Sequence, residues 1–148
     1  GRELSQTPFA IEQLALNPPS TSSYEPVSAE YQEAWAIFRE RSALIDVTLW
    51  QTYGDDNATS QRQDAGRYLT HNILSALRLG DLKYIGSNLA WIRGMLTNHN
   101  LSPRLLCDFL KEYRRAAETH LGQVAGRLVI EWLDGAIEAC EEAANESE

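Results

Sequence analysis

The chain is poor in the residues that build covalent and metal-based sites. It has 2 cysteines, 3 histidines and 1 methionine. Cys107 and Cys140 stand far apart with no Cys-x-x-Cys pairing, which excludes a zinc ribbon and a dithiol redox motif. A disulfide-stapled secreted scaffold needs more cysteines. Both are expected as reduced thiols packed on helices, because free cysteine behaves as a small buried hydrophobe. One disulfide between distant helices is the other reading. No His-Glu-x-x-His occurs, and none of His71, His99 and His120 belongs to the Glu-x-x-His pairs of a di-metal bundle. No metal site is expected. Gly-x-Ser-x-Gly, the P-loop and Gly-x-Gly-x-x-Gly are all missing, so no catalytic residue is assigned and no enzyme is expected.

Basic residues are also scarce. There are 13 Lys and Arg against 21 Asp and Glu, a net charge of −8. Non-specific nucleic-acid binding draws its energy from cations, so nucleic acid is an unsuitable partner. No apolar run approaches the ~20 residues of a membrane span, and no secretory pattern opens the chain. The expectation is therefore a cytoplasmic protein with no membrane partner. No segment alternates apolar and polar residues in the manner of a strand.

What is present is helical periodicity over most of 148 residues, a length that suits one domain. Residues 1–27 differ from the rest. Phe9, Ile11, Leu14 and Leu16 precede the breaker cluster Asn17-Pro18-Pro19-Ser20-Thr21-Ser22-Ser23. The segment is either a lead-in or an arm across a groove of the body, and its four apolar residues favour the arm. The domain proper is expected over 28–145, with a frayed acidic tail at 146–148.

Ser28 is placed to cap a first helix to about Tyr53, striped by Tyr31, Trp35, Phe38, Ile45 and Leu49. A second runs from Thr59 to Leu79 with Tyr68, Leu69, Ile73, Leu74, Ala76 and Leu77 inward, and Gly80 stops it. Asp81 caps a third, whose stripe is Leu82, Ile85, Leu89, Ile92 and Leu96. Ser102 and Pro103 start a fourth, through Leu105, Leu106, Phe109, Leu110 and Tyr113 to about Gly122. The fifth extends from Gln123 to Ala144 through Val124, Leu128, Val129, Trp132, Leu133 and Ile137. Short links between such helices predict an all-α, up-and-down bundle of about five helices, read as four bundle helices plus the N-terminal arm.

The third helix carries the most unusual pattern. Beside its core stripe runs a second apolar line of Tyr84, Trp91 and Met95, with Gly86, Ala90 and Gly94 at four-residue spacing. Glycine within a helix costs ~1 kcal/mol relative to alanine, so two on one face call for a compensating contact. Close helix packing is the plainer explanation; a slot for a planar ligand or a homodimer face is the sharper one. Gly122 and Gly126 could form the facing surface. The candidate ligand or partner site is therefore Gly86, Ala90, Trp91, Gly94, Met95 and His71. Four tryptophans spread over the helices could also line an aromatic pocket, although rings at this spacing more often form core. A single helical imidazole such as His71 suffices to ligate haem. Asp64, Arg67 and His71 share one side of the second helix, near Asp46 on the first, and read as a polar patch or a solvated face.

Three runs, Asn72-Ile73-Leu74-Ser75-Ala76-Leu77-Arg78-Leu79-Gly80-Asp81, Leu89-Ala90-Trp91 and Asn100-Leu101-Ser102-Pro103-Arg104-Leu105-Leu106, match a known punctuation. Together they resemble the helical subdomain that precedes cobalamin-binding domains in bacterial photoreceptor regulators and methyltransferases. That family shows Ala-Leu-x-x-Gly-Asp, a helix, and a turn whose small polar residue opens the next helix. Its cobalamin-ligating Asp-x-His-x-x-Gly lies in a following α/β domain and does not occur here. In its light-sensing members a Trp is followed nine residues later by Glu-His; here Trp91 is followed by His99 without the glutamate. The resemblance implies a stand-alone helical sensory or regulatory module. The combined expectation is a non-enzymatic module that engages a protein partner or a small planar ligand, without a cofactor of its own. The alternatives are a globin-like bundle holding a tetrapyrrole, haem or cobalamin, and a homo-oligomeric scaffold.

Overall fold

The computed structural model describes residues 26–53, 59–99 and 101–147. These form five α-helices and no strand. They are α1 (Ala29–Tyr53), α2 (Thr59–Leu79), α3 (Asn88–Asn98), α4 (Pro103–His120) and α5 (Gly122–Ser147), with a 3-10 turn at Leu82–Ile85 before α3. The all-α bundle is as the periodicity predicts. Residues 1–25, where the arm was expected, lie outside the described residues. The element added to the four long helices is the short α3. α5 continues through Asn145 and Glu146 to Ser147, beyond the expected end at Ala144.

Helix starts follow the capping chemistry. Ser28 Oγ accepts from the Tyr31 N–H at 3.3 Å. Ser102 Oγ accepts from the Leu105 N–H at 3.2 Å, with Pro103 in the first turn where its missing N–H is harmless. At the end of α4 the exposed carbonyls meet a cation, for Arg41 Nη1 on α1 donates to the His120 carbonyl at 2.9 Å. Thr48 Oγ1 lies 2.8 Å from His120 Nε2, so α1 holds that residue by both backbone and ring.

α4 and α5 share the longest interface; α1 packs on α2, α4 and α5; α3 lies mainly on α5. The core takes Phe38 and Ile45 from α1, Leu69, Ile73 and Leu77 from α2, and Ile92 and Met95 from α3. From α4 and α5 come Leu106, Phe109, Leu110, Tyr113, Val129 and Leu133. Each such side chain contributes about 1.5–3 kcal/mol by leaving water. Tyr68, expected inside, is exposed on α2 and packs its ring near His99, centroids 5.1 Å apart. α1 departs from ordinary amphipathicity. Leu44, Val47 and Trp50 stand on its outer side, the last two 53% exposed. No helix among the described residues is long and apolar enough to cross a membrane.

The expected continuous third helix is broken. Asp81 Oδ1 accepts from the Lys83 N–H at 2.9 Å and starts only a 3-10 turn. That turn closes at Gly86, which has φ +105° and donates to the Lys83 carbonyl. Ser87 then caps α3 afresh, accepting from the Ala90 N–H at 3.1 Å. A glycine that stops and a serine that starts replace the helical interior inferred from the apolar spacing. The face of α3 turns accordingly: Trp91, Ile92 and Met95 are buried while Leu89 is exposed.

Candidate functional site

The six residues expected to form one site are not gathered by the fold. Gly86 is not helical, and a Cβ placed there would meet nothing within 4 Å. At Gly94 a Cβ would meet only Asn98 of its own helix, at 3.8 Å. Neither glycine has a neighbouring backbone packed against it among the described residues, so close helix packing does not account for the pair. Ala90 is exposed, whereas Trp91 and Met95 belong to the core. The Trp91 indole N–H donates to Asn72 Oδ1 at 2.9 Å and its ring meets Trp132 edge-on, centroids 5.4 Å apart. That satisfies the indole as an interior group. Gly122 and Gly126 do not face α3. The close approach between α3 and α5 is at Gly135, where the Asn88 amide occupies the space a Cβ would need.

His71, the sixth residue, lies elsewhere, on the exposed side of α2. It lines a surface groove of about 450 Å³ with Trp35, Arg39, Leu74, Ser75 and Arg78. Trp35 also lines an adjoining groove of about 520 Å³ with Pro26, Val27, Gln32, Ala36, Leu77 and Arg78. Half-buried Trp35 is therefore the common wall of an apolar cleft and a basic one. The local sequence explains the placement. Trp35 and Arg39 are one turn apart on α1, and α2 brings Arg78 across from the other side. The Arg39 guanidinium stands 5.3 Å and the Arg78 guanidinium 5.7 Å from the centre of the Trp35 ring, within the range of a cation–π attraction. Neither arginine forms an ion pair within the described residues. Glu40 lines the rim beside Arg39.

Two other clefts have a different character. A groove of about 650 Å³ between the end of α4 and the first half of α5 is lined by Glu118, Gly122, Gln123, Gly126, Arg127, Ile130, Glu131 and Asp134. It is larger, but much of its charge is internally matched. Arg114 reaches Asp134 at 2.6 Å and Glu118 at 4.0 Å, and Arg127 pairs with Glu30. It has no aromatic wall. A smaller recess of about 180 Å³ between α1 and α2 is lined by Asp46, Leu49, Trp50, Arg62, Gln63, Gly66 and Arg67. Burial pushes the Asp46 carboxyl up, an effect that Arg67 partly offsets. Beneath it Tyr113 is fully buried, its hydroxyl 2.6 Å from Thr70 Oγ1, and burial pushes that phenol well above its ordinary value. Asp64, expected in the same patch, pairs with Arg67 at 3.0 Å on the surface.

Cys107 and Cys140 are free, buried thiols on α4 and α5. Burial pushes the Cys140 thiol up, and its neighbour Cys107 adds to the effect. Among the described residues, no group of three or more His, Cys, Asp or Glu is placed to hold a metal ion. Sequence reading named His71 but missed Trp35, Arg39 and Arg78. The available signal was Trp-x-x-x-Arg on α1 facing a His-x-x-x-x-x-x-Arg spacing on α2, two pairs that share a face only once the helices pack. No family model matches the chain, and comparison with curated proteins and with solved structures finds no match.

Proposed function

We propose that this chain is a non-enzymatic, regulatory protein-interaction module whose working surface is the α1–α2 face around Trp35. One observation carries the reading: two guanidiniums with no ion pair among the described residues meet a single half-exposed indole at the edge of an apolar groove. Trp and Arg are the side chains most enriched at binding hot spots, where an apolar anchor and a forked donor act together. The groove takes its walls from both helices, Gln32, Trp35 and Ala36 from α1 and Arg78 from α2, so an occupant there contacts both. Engagement then favours one packing of this helix pair over another, a shift limited by the partner's differential affinity.

A random-peptide display selection on the whole chain tests the reading. Peptides enriched on the wild-type protein are expected to be lost on the Arg39→Gln/Arg78→Gln variant, in which two exposed side chains are neutralised and the core is untouched. Retention of the same peptides by that variant, or no enrichment at all, refutes it.

A further inference from the structure

Resting on that reading, we infer that the occupant of the Trp35 groove is an acidic linear segment of a partner protein, carrying one large apolar side chain beside its carboxylates. The groove has two chemically distinct ends. Val27 and Ala36 form the apolar end, Arg39 and His71 the basic end, and Trp35 and Arg78 line both. An apolar side chain of the occupant rests against Val27, Ala36 and the Trp35 ring. Carboxylates that follow it along the chain then reach the arginine forks, which match carboxylate geometry with two parallel hydrogen bonds. Glu40 closes the Arg39 side of the rim, so the acidic part of the segment approaches from the Arg78–His71 side.

Charge complementarity selects this occupant over others. The chain carries net −8, yet on this face Arg39 and Arg78 stand over Trp35 with no ion pair among the described residues. A second copy is the less suitable occupant, because several of its own carboxylates are already engaged, Glu118 and Asp134 by Arg114 and Glu141 by Lys111. A nucleic acid needs a track of cations to neutralise successive phosphates, and this face offers only a small cluster.

The display selection tests this through the composition of what it enriches, followed by titration of a synthesised winner. The expected winners combine Asp or Glu with one Leu, Phe or Trp, and bind roughly tenfold more weakly when their acids are changed to Gln or Asn. Their affinity falls with salt, and Arg39→Gln/Arg78→Gln removes most of that salt dependence. Neutral or basic winners that still require Arg39 and Arg78 overturn the acidic partner and leave the interaction surface standing. Winners indifferent to both arginines overturn both. Sedimentation of the full chain supplies the remaining outcome: self-association abolished by the same double substitution gives the groove to a second copy and overturns the proposal.

Discussion

Replacing Gly80 by alanine probes the joint that sets the α1–α2 face. Gly80 ends α2 at φ +99°, donating to the Ala76 carbonyl at 3.0 Å while Asp81 donates to the same carbonyl at 3.1 Å. A side chain in such a conformation costs about 1–3 kcal/mol. The new Cβ would also lie 3.1 Å and 3.3 Å from the two methyls of Val27, tighter than ordinary contact, and displacing them adds about 1 kcal/mol. The expected loss is about 2–4 kcal/mol, which for a chain of this length lowers Tm by roughly 5–15 °C. Gly126 supplies the opposite sign. It sits inside α5, where an added Cβ would meet only the Leu121 Cβ at 3.9 Å, so Gly126→Ala gains about 0.5–1 kcal/mol of helix propensity. Urea unfolding followed by far-UV circular dichroism measures both. Val27→Ala made in the Gly80→Ala background should recover the steric part and leave the backbone part. A Gly80→Ala protein within 0.5 kcal/mol of wild type would refute the reasoning on conformation and contact alike.

Three further outcomes follow from the interior. The folded-state pKa of Asp46 is raised above 3.8, so ionising it opposes folding as pH rises through that value, and its favourable contribution is complete only below the unfolded one. Asp46→Asn should therefore raise Tm at neutral pH, with the difference fading below about pH 4; a lower Tm at neutral pH contradicts this. Tyr113→Phe removes the partner of Thr70 Oγ1 without changing packing volume, and should destabilise by about 1 kcal/mol in the same urea assay, against no change if that bond is idle. Cys107 and Cys140, buried and with the Cys140 thiol pushed up, should react with a thiol reagent only as fast as the protein opens. Rapid labelling of either under native conditions would show that the α4–α5 interface is looser than described.

Much of the fold is legible in the residues because capping and periodicity act locally. Ser28, Ser102-Pro103 and Gly80 do in space what their side chains and backbone freedom dictate in sequence. The failure at the third helix has an equally local cause. Apolar spacing across Leu82, Ile85 and Leu89 is compatible with one helix, but Gly86-Ser87 is a stop followed by a cap, and that chemistry overrides the spacing. With the helix broken, Trp91 and Met95 lie in the core while Gly86 and Ala90 stand exposed. Trp91 could have been placed from its indole alone, which needs an acceptor; Asn72 on the inner side of α2 provides it. The Trp35 surface was not legible. Its members come from α1 and α2, more than thirty residues apart, and only the packing angle of those helices brings both guanidiniums to one ring.

Chemical-shift mapping of the intact protein against an acidic, apolar-anchored peptide from the display selection tests the central claim most directly. Shifts should concentrate on the Trp35 indole N–H and on Ala36, Arg39, His71 and Arg78. Shifts centred instead on Gly86, Leu89 and Ala90, or on the Glu118–Asp134 groove, would contradict the assignment of the working face to α1 and α2.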